Sequence, residues 1–250
     1  MQKLKRKEYQ DKEIDVEKIC SSILKLRHRE RQIKGKNYKI EDIARLSMEG
    51  EMSKWEYTNP VLIILDAVLA INRNYLTFVK PRILKFKEEY KDIKEIDKML
   101  ELINNMGDEK FCNNVLKYND KQRLELLKKV LETFKDYKEK NNMKNDYEAM
   151  KHWAMNFNMK KLGDDEIYKI KGIGLSTIQY LRMLLGVNTM MPDRHIKSWI
   201  LEELGLKSIG EKKYIRLLED ASKELNISCR MIAEYIWALK NPKIPALEED

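Results

Sequence analysis

Apolar residues recur at spacings of three and four along most of this chain, a pattern typical of amphipathic helices. One such stripe consists of Ile14, Val16, Ile19, Ile23 and Leu26. A strongly apolar run from Val61 follows Asn59 and Pro60, and proline in a first turn favours a helix start. With only 9 glycines and 5 prolines, the chain has few helix breakers and no clear strand pattern. The sequence therefore predicts an all-α fold.

The predicted helices after this first stripe are separated by short polar segments. They cover residues 40–48, 61–71, 81–90, 93–103, 110–116, 121–138, 146–157, 175–185, 211–225 and 229–239. Residues 27–31 are read as the basic tail of the first helix and residues 34–37 as a turn. The polar stretch 138–142 is the best candidate for a boundary between lobes.

Composition narrows the class of protein. Hydrophobic residues make up 43% of the 250 residues, which indicates a globular chain with a buried core. Lysine and arginine exceed the acidic residues by 8, and the pI is about 9.1, which favours a polyanionic partner. The alternative is a well-solvated helical surface on which the charge has no partner.

Cysteine usage argues against a metal centre or a disulfide framework. Cys20, Cys112 and Cys229 lie far apart and form no Cys-x-x-Cys or Cys/His ligand spacing, so no metal or cofactor is expected. Sparse cysteines and a charged start of the chain favour a cytoplasmic protein. The longest apolar run is too short to span a bilayer, so no membrane association is expected.

The most informative segment is Ile170-Lys171-Gly172-Ile173-Gly174, followed by a helical pattern from Leu175. Two glycines one residue apart permit a tight turn that leaves backbone N–H groups exposed at the start of a helix. Such donors, together with the helix dipole, suit a phosphate group. The DNA-binding candidates are Lys169, Lys171, Gly172, Ile173, Gly174, Ser176, Thr177 and, further on, His195. The alternative is an ordinary corner between two helices.

This segment resembles the hairpin of the helix-hairpin-helix DNA glycosylase superfamily, which has the endonuclease III-like fold. As in that family, the hairpin is followed by an apolar helix (175–185), a short loop (186–192) and an acid at a helix start, Asp193. Asp193-Arg194-His195 resembles the family's Asp-x-His. The resemblance extends loosely from Asn59 to Leu239. The segment does not match the dinucleotide-binding pattern Gly-x-Gly-x-x-Gly, because Thr177 stands in place of the third glycine.

The resemblance implies two helical lobes with a cleft that the hairpin and Asp193 flank. On this interpretation residues 59–250 form the glycosylase-like core, divided near 138–145. Residues 1–58 are a helical extension without an assigned role, which either packs on one lobe or is specific to this family. The partner implied is double-stranded DNA with a damaged or mispaired base, which the enzyme flips out of the duplex to cut its glycosidic bond.

The resemblance also implies roles for single residues. Asp193 would support an oxocarbenium-like transition state, although an aspartate after a proline is also a common helix cap. Family members that form a Schiff base carry a lysine where this chain has Ser176, so the resemblance implies a monofunctional enzyme without β-lyase activity. His195 would orient substrate or contact a phosphate, or simply lie on a helix surface.

Several other residues allow both a functional and a structural reading. Asn72, Asn74 and Tyr75 follow the first apolar helix, where the family inserts a wedge into DNA, but a polar helix end is the preferred interpretation. Gln179 and Tyr180 would line a base pocket, and for Tyr180 a place in the core is an equal alternative. For the whole chain, the alternatives to the glycosylase are a noncatalytic DNA-binding protein of the same fold and, more remotely, a helical protein-interaction module.

Overall fold

A computed structural model describes the backbone of residues 2–52 and 58–241 and the side chains of residues 15–48 and 58–241. The described chain is predominantly helical, which confirms the all-α prediction at this level. In chain order the helices are α1 (Gln2–His28), α2 (Ile40–Met52), α3 (Pro60–Ala70), α4 (Lys80–Glu89), α5 (Ile96–Met106), α6 (Asp108–Phe111), α7 (Lys121–Lys140), α8 (Asp146–Asn156), α9 (Glu166–Lys169), α10 (Leu175–Leu184), α11 (Arg194–Leu204), α12 (Glu211–Leu225) and α13 (Cys229–Lys240).

Within residues 2–52 and 58–241, three short segments have other helical geometries, and two strands form a ribbon. The π-helical segments are Tyr75–Val79 and Cys112–Leu116, and Met159–Asp164 is a 3-10 helix. The strands β1 (Glu30–Ile33) and β2 (Lys36–Lys39) pair antiparallel. The prediction of a helical tail over residues 27–31 is therefore wrong beyond His28. Each four-residue strand carries a single β-branched or aromatic residue, too few for the pattern by which strands are usually recognised.

The chain divides into two units that are discontinuous in sequence. Unit 1 combines the described parts of Met1–Glu56 with those of Asn188–Asp250, and unit 2 is Tyr57–Val187. This division differs from the predicted one near residues 138–145, because α7 and α8 pack against each other within unit 2. Helices α1 and α2, which precede the predicted core, pack on the C-terminal helices of unit 1.

The core of unit 1 forms where α1 packs against α11, α12 and α13, and where α2 packs against α13. The apolar stripe predicted for the first helix supplies the fully buried Ile19 and Ile23. Across the unit, Tyr214 and Trp199 are almost completely buried as well. Ion pairs join the helices at the surface, for example Arg27 of α1 with Glu41 of α2.

The core of unit 2 is built around α3, which packs against α7 and α10 and is buried along its length to Leu69. Asn59 caps this helix by accepting hydrogen bonds from the amides of Val61 and Leu62, and Pro60 occupies its first turn. The predicted start of this helix at the Asn-Pro pair is confirmed. Because α3 is buried on all sides, it is the central helix of unit 2, and the helix α10 that follows the hairpin packs directly against it.

Candidate functional site

The hairpin between α9 and α10 has the geometry of a tight turn. The amide of Ile173 donates to the carbonyl of Ile170 at 2.9 Å, which closes a four-residue turn. Gly172 stands at the third position of that turn with φ of 104°, where a type II turn requires the left-handed region. Helix α10 then begins with the amide of Ile178 donating to the carbonyl of Gly174 at 3.1 Å. The segment is therefore a tight turn that joins the short helix α9 to α10.

The first turn of α10 presents backbone donors. Gly174 is the N-cap residue, and no side chain caps the amides of this helix end. Gly172 and Gly174 are exposed, whereas Ile173 and Leu175 are buried at 6% and 8% exposure and anchor the hairpin to the core. The N-terminal amides of a helix have no intrahelical partner and carry the positive end of the helix dipole. The uncapped amides of the first turn of α10, beside the exposed Gly174, can therefore bind an anion.

The side chains predicted to assist this contact differ in their exposure to solvent. Lys171 is exposed, and Lys169 is half exposed and pairs with Glu166 one turn earlier at 3.1 Å. Ser176 is half-buried. Thr177 is only 8% exposed, so its hydroxyl is not presented to solvent as the sequence suggested. The reason is that position 177 falls on the face of α10 that packs into unit 2.

The two glycines differ in what they tolerate. A Cβ atom at Gly172 would lie 3.5 Å from the side chain of Leu126 in α7, but its positive φ would strain any other residue. Gly174 has an ordinary φ of −105°, and a Cβ atom there would meet no atom within 4 Å. Of these two glycines, only Gly174 can be changed to probe access to the hairpin without straining the turn.

A buried carboxylate connects the hairpin helix to the segment after α3. Asp66 is fully buried in the middle of α3. It accepts a hydrogen bond from the hydroxyl of Tyr180 in α10 at 2.9 Å and another from Tyr75 at 3.3 Å. From the sequence, Tyr75 was preferred as part of a polar helix end over a wedge, and Tyr180 was a pocket or core candidate. Asp66, the single acid in an otherwise apolar helix, was missed. The geometry gives both tyrosines a role in holding two surface segments to one core helix.

Helix α7 contacts both the end of α3 and the hairpin turn. The guanidinium of Arg123 donates to the carbonyls of Val68 at 2.6 Å and Ile71 at 3.1 Å, at the C-terminal end of α3. One turn along the same helix, Leu126 lies beneath Gly172. The hairpin turn and the C-terminal end of α3 therefore rest on neighbouring turns of α7 within unit 2.

Gln179 belongs to the core rather than to an open pocket. It is fully buried, and its side-chain carbonyl accepts a hydrogen bond from Arg182 at 2.6 Å. Arg182 also donates to the carbonyl of Ala154 at 3.1 Å and lies over the ring of Phe157. These contacts fix α10 against the chain around α8.

Asp193, in unit 1, is the N-cap of α11. Its Oδ1 atom accepts hydrogen bonds from the amides of His195 at 2.6 Å and Ile196 at 3.1 Å. Its carboxylate is half-exposed, and among the described residues no ion pair or other hydrogen bond involves Oδ2. Burial raises the pKa of the nearby Tyr214, and the negative charges of Glu211 and Asp193 raise it further. Asp193 thus acts as a helix cap through Oδ1, and its Oδ2 atom remains accessible for another contact.

His195 lies next to this cap on the half-exposed side of α11. Its Nε2 atom is 3.4 Å from the Nε atom of Arg194, a weak contact between neighbours. The ring therefore has no strong partner that fixes it toward Asp193. The hairpin candidates lie together in unit 2, and Asp193 and His195 lie together in unit 1. The cleft that would join the two groups stays a prediction.

Metal binding and membrane insertion find no support in the described parts of the chain. Within them, no group of three histidine, cysteine or acidic side chains is arranged to hold a metal ion. None of the helices there combines the length and the apolar character needed to cross a bilayer. Cys229 is buried, and burial raises its thiol pKa to about 11, so it is not a reactive thiolate.

Comparison with known proteins identifies a family but no characterised relative. No curated protein and no solved structure is recognisably similar to the chain. A family model described as "Domain of unknown function (DUF8548)" matches residues 43–241, a range that includes both the hairpin and Asp193. Because this range covers most of the 250 residues, the chain belongs to the DUF8548 family of domains of unknown function.

Proposed function

We propose that this protein is a monofunctional DNA N-glycosylase, which flips a damaged or mispaired base out of the duplex and hydrolyses its glycosidic bond. The observation that carries the proposal is the hairpin: an exposed turn of two glycines that leads into the uncapped amides of α10. The sequence resemblance to the helix-hairpin-helix glycosylases supplies the reaction. The substrate is double-stranded DNA, and no cofactor is required.

The hairpin suits a DNA phosphate for a physical reason. A phosphate oxygen accepts hydrogen bonds from amides at a helix N-terminus, where the helix dipole also favours negative charge. Glycine at position 174 lets the phosphate approach the backbone closely, since a Cβ atom would project into open space there. Lys171 adds an exposed positive charge beside it. These contacts hold the DNA backbone and do not depend on base sequence.

The chemistry proposed for the reacting sugar follows from two positions. Ser176 stands where an enzyme that forms a Schiff base needs an amine, so water is the nucleophile. The reaction then leaves an intact abasic sugar in the DNA. Asp193 supplies a negative charge that stabilises the oxocarbenium-like transition state. Its Oδ1 atom is held by two amides, which fixes the direction of Oδ2. Base flipping precedes both steps, because the glycosidic bond is inaccessible inside the stack.

A second candidate function is noncatalytic DNA binding. The observation that favours it is that Asp193 already has a complete structural role as the N-cap of α11. In that case the hairpin binds phosphates as described, and no base is released.

A base-release assay separates these functions. The protein is incubated with labelled duplexes that each carry one damaged or mispaired base, and free base is measured beside the same duplexes with Asp193→Asn. Release by the wild type, strongly reduced in the variant, supports the glycosylase. Binding without release across the panel favours the noncatalytic protein.

Contact through the hairpin is tested with Gly174→Leu. We expect duplex affinity to fall about tenfold or more, because hydrogen bonds to charged groups contribute about 1.5–3 kcal/mol. Gly210→Leu is the matched control. Gly210 is also an exposed N-cap glycine, at the start of α12, and a Cβ atom there would likewise meet no atom within 4 Å. Equal affinities for Gly174→Leu and the wild type would remove the hairpin from the interface.

A further inference from the structure

The ribbon of β1 and β2 is a strongly charged surface segment of unit 1. Residues 29–39 carry five cationic side chains and one acid, Glu30, which amounts to half of the chain's formal net charge of +8. The cationic residues are Arg29, Arg31, Lys34, Lys36 and Lys39. Neither the hairpin nor Asp193 accounts for this concentration of charge.

The ribbon ends in a two-residue turn. Ile33 pairs with Lys36, and Lys34 and Gly35 between them both have positive φ, at 47° and 79°. Such a turn matches the right-handed twist of the strands and gives a narrow, well-defined tip. Lys34, Gly35 and Lys36 are all exposed at that tip.

The two faces of the ribbon differ. On the inner face Arg31, Ile33 and Tyr38 are half-buried, and Arg31 donates a hydrogen bond to the carbonyl of Ala238 in α13. This contact and the packing of β2 against α2 fix the ribbon to unit 1. The ribbon is therefore held in place at one face while its tip and its other face remain accessible.

The outer face is polar throughout. It presents two cross-strand pairs, Glu30 with Lys39 and Gln32 with Asn37, and all four side chains are exposed. The amide of Asn37 reaches Glu30 at 3.4 Å. Two side-chain amides thus lie side by side near the tip.

Three exposed cations of the ribbon are available for an anion: Lys39 on the outer face, Lys36 next to the tip on the opposite face, and Arg29 just before β1. Among the described residues, Arg29, Lys36 and Lys39 form no ion pair and no side-chain hydrogen bond, and each is exposed. A two-stranded ribbon fits the major groove of DNA, about 12 Å wide, where glutamine and asparagine can pair with the edge of adenine. Lysines and arginines flanking such a ribbon are placed for the phosphates.

We propose that the β1–β2 ribbon is a second contact for duplex DNA, separate from the hairpin of unit 2. Its tip lies in the major groove, with Gln32 and Asn37 toward the base edges and Arg29, Lys36 and Lys39 toward the phosphates. The outer face carries no large apolar side chain of the kind that enters a lipid headgroup region, which favours DNA over an anionic membrane.

The test uses the charge-neutralising pair Lys36→Gln/Lys39→Gln on the full chain. Affinity for a fluorescein-labelled duplex of mixed sequence is measured by anisotropy over a range of salt concentrations. We expect the slope of log affinity against log salt to become shallower by about 2, because two phosphate contacts are lost. The charge-preserving pair Lys36→Arg/Lys39→Arg should retain the wild-type slope.

The matched control is Lys85→Gln/Lys98→Gln in unit 2, which removes the same charge from two half-exposed lysines that pair with Glu89 and Glu95. An equal change of slope in this control would overturn the proposal, because the effect would then reflect net charge alone. An unchanged slope in the ribbon variant would overturn it as well. So would a loss of binding to phosphatidylserine vesicles in that variant with DNA binding intact.

The base-edge contact has its own variant, Gln32→Ala/Asn37→Ala. We expect the wild type to prefer an A·T duplex over a G·C duplex and this variant to lose the preference at an unchanged salt slope. Identical behaviour of variant and wild type would overturn docking in the groove. Gly174→Leu is measured in parallel: if the hairpin does not contact DNA, that variant is silent while the ribbon variants still act, so the two proposals fail separately.

Discussion

Replacing Asp193 by asparagine separates its structural role from a catalytic one. Both helix-capping hydrogen bonds end on Oδ1, at 2.6 Å from the amide of His195 and 3.1 Å from that of Ile196. The carbonyl oxygen of asparagine can accept the same two bonds, and asparagine caps helices about as well as aspartate. What the variant loses is the negative charge at the start of α11, which contributes about 0.3–1 kcal/mol through the helix dipole. Stability should therefore fall by no more than about 1 kcal/mol.

The alanine variant gives the reference for the cap itself. Asp193→Ala loses both hydrogen bonds as well as the charge, and loss of an N-cap alone costs about 1 kcal/mol. The thermal unfolding temperature should thus be highest for the wild type, lower for Asp193→Asn and lowest for Asp193→Ala. If Asp193 is only a cap, neither variant changes any property of the folded protein beyond stability.

A catalytic Asp193 predicts a different kinetic result. Its charge acts on positive charge that develops on the sugar only in the transition state, so the benefit appears in the chemical step. Loss of that charge in Asp193→Asn should slow base release by about 10²-fold or more, equivalent to about 2.7 kcal/mol or more in the barrier. DNA affinity should persist or rise, since a negative charge facing a polyanion is removed.

Single-turnover base release and duplex binding, measured on folded wild-type and Asp193→Asn protein at the same temperature, provide the comparison. Single-turnover conditions isolate the chemical step from product release. Full wild-type activity in Asp193→Asn would refute the catalytic role and leave Asp193 as a cap. A loss of affinity matching the loss of rate would refute the argument that its charge acts in the transition state.

Three further predictions concern Ser176, the buried carboxylate and acid stability. Borohydride added during turnover should trap no protein–DNA adduct, because Ser176 cannot form an imine; electrophoresis showing an adduct would end the monofunctional assignment. Tyr180→Phe should lower the stability in a urea titration by about 1–3 kcal/mol, because buried Asp66 loses a donor at 2.9 Å; an unchanged midpoint would contradict this. Hydrogen bonds from Arg27 lower the pKa of Glu41, so its stabilisation is present above about pH 4.3 and is lost as pH falls through the lower folded-state pKa; acid unfolding of Glu41→Gln should lack this component.

Local signals in the sequence located most of the helices correctly. The predicted span 211–225 agrees with α12 at both ends, and the predicted starts at residues 121 and 229 agree with α7 and α13. These helices have clear apolar periodicity and capping residues such as Asp120 and Ser228, whose side chains bond to amides in the first turn. Periodicity and caps act within one or two turns, which is why sequence alone suffices for them.

The sequence predicted the turn of the hairpin, but it did not predict which neighbouring side chains are buried. The turn at Gly172 and the uncapped start of α10 were expected from the two glycines, and the geometry agrees. The burial of Thr177 was not expected, because which face of α10 meets the core depends on α3 and α8. Asp66 was missed for the same reason: its partners Tyr75 and Tyr180 are 9 and 114 residues away in sequence.

The sequence by itself determined what depends on neighbouring residues: a helical chain, the start of α3 at Asn59-Pro60, and a glycine turn that needs a positive φ at Gly172. The tertiary structure alone decided what depends on distant ones. Helices α1 and α2 join α11 to α13 in one unit, a packing that the local sequence pattern left open. The ribbon at residues 30–39 is held by α2 and α13, since four-residue strands are too short to be stable without such packing.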